Sequence, residues 1–154
     1  MILKFTSGGR TVENAWSLVT NVEWSGDRQR AARTLGFDLA VSPGDPNLPA
    51  VECPVGAMAG FWDDSGAQLF QGPVVTRTLS DARPTMAVTA MDRGLYLAGN
   101  QGTLQVRGET PEAAVRRLCQ GYGIPVGALA ATGVAVNRKF SGVDLWRIVT
   151  PLYT

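Results

Sequence analysis

The sequence predicts a mainly β protein, a small antiparallel β-barrel followed by a short α-helical region. Three observations point there. Apolar residues recur with a period of two from Trp16 to Met91, polar turns rich in glycine and proline separate the runs, and the period becomes helical after Glu109. A chain of 154 residues is long enough for one hydrophobic core and the start of another. The expected division is a barrel over residues 1–107 and a helical connecting region over 108–154, the latter the truncated start of a second unit.

Trp16, Leu18, Thr20, Val22 and Trp24 alternate with Ser17, Val19, Asn21 and Glu23, which on one long strand would put two tryptophans and two aliphatics on one face. Ser25-Gly26-Asp27 ends it as a turn. The alternation resumes at Leu35, Phe37, Leu39 and Val41, so the two segments are expected to pair across a hairpin-like connection. Ser42 to Pro49 carries three prolines and reads as an irregular loop.

A third strand is expected near Val55 to Trp62, and Asp63-Asp64-Ser65-Gly66 is a turn. Ala67 to Leu79 reads as a long strand in which Gly72-Pro73 calls for a bulge or an edge position, because proline donates no ladder hydrogen bond. Ser80 to Pro84 turns the chain into a strand from Thr85 to Met91. The expected core is Trp16, Leu18, Val22, Leu35, Phe37, Leu39, Phe70 and Val88, with Gly26, Gly66 and Gly72 supplying turn or bulge geometry.

Past Asp92, Thr103 to Arg107 suggests one more strand. Thr110-Pro111-Glu112 opens a helix with a hydroxyl N-cap, a proline at the first position and an acid at the positive dipole end. Val115, Leu118, Cys119 and Tyr122 form its apolar stripe, and Gly121, Gly123 and Pro125 stop it. Ser141-Gly142-Val143-Asp144 resembles a capping box before Leu145, Ile148, Val149 and Leu152. That helix has an apolar face and little chain left to cover it, so either Leu145 to Leu152 packs back on the barrel or, the reading preferred, its partner segment is missing.

Composition narrows function chiefly by exclusion. Fourteen basic residues against thirteen acidic ones create no whole-chain field for a nucleic acid or an anionic membrane. The N-terminus lacks an extended apolar region, and no apolar run approaches the roughly 18 residues of a membrane span. Synthesis in the cytoplasm without a secretory signal is expected, leaving Cys53 and Cys119 as free, buried thiols. The sequence contains no histidine, which removes Ser-His and Cys-His nucleophile pairs and most zinc sites.

Among carboxylates, Asp63 and Asp64 read as turn formers, and Glu109 and Glu112 as acids flanking a helix start. Gly94, Gly99 and Gly102 lack the strand-to-helix context of a dinucleotide site. No catalytic, cofactor-binding or metal-binding residue is assigned. The best local charge feature is Arg28, Arg30 and Arg33, with Arg116-Arg117 and Arg138-Lys139 weaker. It reads either as a solvated turn or as a contact to a neighbouring subunit or a threaded polymer.

Taken in order, Trp24-Ser25-Gly26-Asp27, Leu69 to Val75, Val88 to Asp92, Thr110-Pro111-Glu112 and Phe140-Ser141-Gly142 resemble the N-terminal part of the baseplate central hub protein of contractile phage tails and phage-tail-like particles, the XkdQ-like and late control protein D-like family. In that family a first strand ends in a Trp-Ser-Gly type turn, like Trp24, Ser25 and Gly26. A hairpin with an aspartate-rich turn and a Leu-Phe-x-Gly element follows, like Asp63 to Gly72 with Phe70, and the next strand ends in an apolar-Asp pair, like Met91-Asp92, before Leu95, Tyr96 and Leu97. Each string alone is weak, and their order carries the likeness.

The resemblance implies a structural, non-enzymatic subunit without cofactors, a homotrimer in its full-length form. Each protomer would contribute two similar barrels to a pseudo-six-fold ring that joins the tail tube to the central spike. Its partners would be tail tube, spike and other baseplate proteins, with no membrane and no sequence-specific nucleic acid. Its place would be the baseplate of a virion or tail-like particle, assembled in the bacterial cytoplasm. Arg28, Arg30 and Arg33 would be the first place to look for a subunit contact. Two other classes compete. A monomeric β-barrel module could bind an extended polymer, cell-wall glycan or single-stranded nucleic acid, through aromatics such as Trp62 or Tyr96. A cell-wall hydrolase domain would need convergent carboxylates among Asp63, Asp64, Glu109 and Glu112.

Overall fold

The computed structural model describes every residue except Gly8, Asn14, Pro43, Gly44, Leu48, Pro49, Ala50, Asp81 and Ala82, and all their side chains but those of Ser7 and Trp16. The place expected for Trp16 in the core, and parts of the proline loop and of the Ser80 to Pro84 turn, therefore lie outside the described residues. The chain forms two compact units, Met1–Gly94 and Leu95–Thr154.

Among the described residues seven strands build the first unit: β1 (Ile2–Ser7), β2 (Arg10–Val12), β3 (Val19–Ser25), β4 (Thr34–Ala40), β5 (Met58–Trp62), β6 (Gln68–Leu79) and β7 (Thr85–Met91). They form one antiparallel sheet in the order β2-β1-β5-β6-β7-β4-β3. Three strands separate β1 from β4, yet the Phe5 and Phe37 ring centroids lie 5.8 Å apart, so the sheet curls tightly about its own apolar face. The outermost strands, β2 and β3, do not pair with each other, which makes the sheet a half-barrel rather than a closed one.

Alternation decides what fills the concave side. Leu35, Phe37 and Leu39 of β4 are buried in strict every-second-residue order, and Met86, Val88 and Ala90 of β7 repeat it. Leu3, Phe5, Phe61, Phe70 and Val74 complete the core. Fully burying side chains of this size contributes about 1.5–3 kcal/mol each. Of the expected core residues, Leu35, Phe37, Leu39, Phe70 and Val88 are buried, whereas Leu18 and Val22 are only partly buried against it.

The long strand expected over Trp16 to Trp24 is not one strand. Ala15–Ser17 is a single 3₁₀ turn, β3 begins only at Val19, and its pairing with β4 slips between Thr20 and Glu23. Asn21 sits at φ 51°, and its amide donates to the Asp38 carboxylate at 2.7 Å. Asparagine tolerates this left-handed conformation because its short polar side chain bonds locally. The extra residue changes which set of side chains faces the core: Val19 is buried opposite Leu39, and past the bulge Trp24 stands opposite the buried Leu35 and against Phe61, 41% exposed.

β6 is also not an edge strand. From Gln68 to Pro73 it pairs with β5, and from Val74 to Leu79 with β7, with a register shift between Val74 and Thr76. Pro73, which has no N–H, stands at the residue where the strand changes partners.

The second unit contains α1 (Leu95–Gly99), β8 (Gln101–Glu109), α2 (Pro111–Gly121), β9 (Val136–Asp144) and α3 (Leu145–Leu152). β8 pairs with β9 alone, so the compact units divide after Gly94 and not near residue 107. Thr110 precedes α2 with an extended backbone and Pro111 follows it, as expected, although the threonine hydroxyl makes no cap bond to the backbone. The residue that caps α3 is Asp144; Ser141 and Gly142 belong to β9, so the capping box does not form. The apolar side of α3 is covered within its own unit, where Leu145, Ile148 and Leu152 are buried with Leu104, Val106, Ala114, Val115, Leu118 and Cys119. No missing partner segment is needed to explain that helix.

Candidate functional site

The β3–β4 connection carries the basic cluster and is held in a fixed form. Asp27 caps it in two ways: its carboxylate accepts from the Gln29 amide at 2.8 Å, and its carbonyl accepts from the Arg30 amide at 3.0 Å. Ser25 and Thr34, opposite each other in register, share a hydroxyl hydrogen bond at 2.8 Å beneath it. The connection then docks on the end of β7, where the Asp92 amide donates to the Arg33 carbonyl at 3.1 Å. Asp92 folds its own turn, its Oδ1 accepting from the Gly94 amide at 2.9 Å.

Two glycines make that docking possible. A Cβ on Gly94 would lie 2.6 Å from the Ala31 carbonyl carbon, and one on Gly72 would lie 2.5 Å from that of Met91. Neither partner is a movable side chain, so the backbone can approach only where no Cβ stands. Gly26 has a milder role, because the stem of Arg33 lies 3.0 Å from where its Cβ would be.

The result is a groove of about 710 Å³ lined by Trp24, Asp27, Arg28, Arg30, Arg33 and Asp92, with Gly26 and Ala31. The Arg33 guanidinium lies 6.0 Å from the centroid of the exposed Trp24 indole, a cation–π arrangement. All three arginines are exposed, and none forms an ion pair among the described residues. The sequence strings Trp24-Ser25-Gly26, Phe70 to Gly72 and Met91-Asp92 thus meet at one end of the half-barrel, with Phe70 buried beneath them. The part played by Gly94 escaped the sequence reading, although the Asp-x-Gly spacing of Asp92 and Gly94 is a turn signal.

The four candidate carboxylates do not form a catalytic cluster; each has partners within its own unit. Asp63 Oδ1 accepts from the Ser65 hydroxyl at 2.7 Å and from the Ser65 and Ala67 amides at 2.9 Å each, which holds its carboxyl below the usual range, the hydroxyl being the main cause. Asp64 binds the Met1 ammonium. Glu109 pairs with Arg117 at 2.9 Å, and Arg117 also donates to the Gln105 carbonyl. Glu112 is held low mainly by its own amide at the start of α2, and it accepts from the Thr132 hydroxyl at 3.1 Å.

Arg116 lies beside Ile124 and Val126, and Arg138 and Lys139 are exposed on β9. Trp62 packs over Gly60 with the Lys4 ammonium 5.4 Å from its ring, while Tyr96 is exposed. Cys53 and Cys119 are buried free thiols, and burial pushes Cys53 up to about 11. Gly66, at φ 84°, makes the turn expected of it. Among the described residues no group of three acidic or cysteine side chains could hold a metal ion, and no helix is long and apolar enough to cross a membrane.

The model of the YQBQ-like family matches residues 22–154, most of both units. The chain belongs to the YQBQ-like family. Among solved structures, this YQBQ-like chain is similar to the 43 kDa tail protein of prophage MuSo2 from Shewanella oneidensis, with a TM-score of 0.71 at 14% identity, over 99% of this chain and 48% of that one. It is also similar to the tail protein from Neisseria meningitidis MC58, with a TM-score of 0.65 at 15% identity, over 97% of this chain and 44% of that one. At this identity the likeness is one of fold. The YQBQ-like chain spans about half the length of each of these tail proteins. No curated protein matches it in sequence at a significant level.

Proposed function

We propose that this YQBQ-like chain is a structural component of a phage tail or tail-like particle, and within it the tube-forming part of the baseplate hub that joins the tail tube to the central spike. The observation that carries the reading is the fold likeness over 99% of the chain to a prophage tail protein about twice its length. The order of the Trp24-Ser25-Gly26, Phe70 to Gly72 and Met91-Asp92 strings supports the finer assignment.

The half-barrel suits such a part. β2 and β3 leave two open sheet edges, and an open edge presents unpaired backbone groups that a neighbouring subunit can satisfy. On this reading the protein is non-enzymatic, acts as a homotrimer in its full-length form, uses no cofactor and resides in the particle. Arg28, Arg30 and Arg33 supply a contact to a neighbouring protein. The test is the mass of the assembly by light scattering, with electron microscopy of the same sample. Three-fold rings of the longest natural form support the hub. A monomer at every concentration in that form refutes it.

A further inference from the structure

We infer that the groove between the β3–β4 connection and the end of β7 is a docking site for an acidic peptide segment of a neighbouring protein, with Arg30 and Arg33 gripping its carboxylates. The inference deepens the proposed tail role by giving the chemistry of a partner, and in that respect it rests on it. Its physical basis is charge left uncompensated on a rigid frame. Three guanidinium groups face one cavity without an acid partner among the described residues. The two carboxylates in the lining, Asp27 and Asp92, are turned to the amides of Gln29 and Gly94 in their own turns.

The frame is preorganised. The Asp27 turn, the Ser25–Thr34 hydroxyl bond, the Asp92 to Arg33 backbone bond and the close approach of Ala31 to Gly94 fix the backbone that bears the arginines. Trp24 lies beside Arg33, its ring centroid 6.0 Å from the guanidinium, and leaves the guanidinium donors for a planar acceptor. A carboxylate matches that fork with two parallel hydrogen bonds.

Charge also selects the kind of anion. The first unit has ten acidic against eight basic residues, so the positive groove is a local feature of a unit without a positive excess to draw a long polyanion. A short acidic stretch in a protein chain meets the groove alone. A nucleic acid strand would carry its phosphates beyond the groove onto a unit without a positive excess.

The experiment is calorimetric titration of the whole chain at low and at raised salt. The probes are a short glutamate-rich peptide, its glutamine counterpart, a single-stranded oligothymidylate and inorganic phosphate. The glutamate peptide should bind, weaken as salt screens the contact, and lose at least about tenfold in affinity when Arg30→Gln and Arg33→Gln are combined. Arg138→Gln with Lys139→Gln, which alters charge in the second unit, should leave that affinity unchanged, and circular dichroism should show all variants folded. Absence of peptide binding at low salt, equal binding of the glutamine peptide, or an unaltered affinity in the arginine variant overturns the proposal. So does tighter binding of the oligothymidylate or of phosphate alone. Ring formation is scored separately. Rings that form without peptide binding leave the hub reading standing and the groove reading refuted, and peptide binding by a protein whose longest natural form never forms rings does the reverse.

Discussion

Replacing Gly72 by alanine tests the close approach on which the groove end of the half-barrel depends. The new Cβ would stand 2.5 Å from the Met91 carbonyl carbon and 2.9 Å from the Asp92 Cα, and closer still to the Met91 oxygen. Ordinary contact begins near 3.4 Å and the oxygen is nearer than the carbon, so the end of β7 must retreat by well over about 0.9 Å. Overpacking of a well-filled site costs about 1–3 kcal/mol, and here the obstacle is backbone, which puts the expected loss at about 3 kcal/mol. For a unit of this size each kcal/mol is worth about 4–8 °C, so the melting temperature should fall by about 12–24 °C. The assay is thermal unfolding by near-ultraviolet circular dichroism, where the core aromatics of the first unit report. Gly99→Ala is the control, since its Cβ would meet nothing within 4 Å and its φ is ordinary. A Gly72→Ala melting temperature within about 2 °C of the parent would falsify the reasoning, because a shift that small corresponds to well under 1 kcal/mol.

Three further outcomes follow from the packing and the titrating groups. Ile148→Ala empties a fully buried position in the second unit and should cost about 2–5 kcal/mol there; limited proteolysis should then cut α3 and α2 first, and an unchanged digest would contradict the packing. Asp63 and Glu112 are held below the usual carboxylate range in the folded chain, so their contributions are complete above that range and are lost as pH falls beneath it, through the lowered folded values. Urea midpoints should therefore drop on acidification, and less steeply for Asp63→Asn. Cys53, pushed up to about 11, stabilises the fold fully below the ordinary thiol range and loses that contribution as pH rises toward about 11. Its alkylation at pH near 8 should track unfolding, and rapid modification of the folded protein would show the thiol to be accessible.

What could be read from the residues depended on how long a period survived. Leu35, Phe37 and Leu39 were legible because β4 is flanked by β3 and β7 and runs without a bulge. The Trp16 to Trp24 run had an equally clear alternation and misled, since the extra residue at the left-handed Asn21 breaks it: Val19 faces the core before the bulge and Trp24, opposite Leu35, after it. β1 passed unnoticed although Leu3 and Phe5 alternate with Lys4 and Thr6; the pattern is too short to stand out by itself. β9 offered less, because Asn137, Arg138 and Lys139 give no apolar beat, and its strand exists by pairing with β8. The three arginines were visible as a cluster, while the groove was not. Its walls come from β3, β4 and β7, and only the register of those strands brings Trp24, Arg33 and Asp92 to one place.

The change of partner within β6 bears on how the first unit can come apart. A sheet whose strands each run full length between the same two neighbours can peel from an edge, one strand at a time. Here a single strand is laced to β5 along its first half and to β7 along its second, so the two flanks of the half-barrel are joined through the covalent chain of β6. The seam at Pro73 and Val74 ties the two flanks into one mechanical element. A force applied at either open edge is carried to the opposite one through the covalent chain of β6.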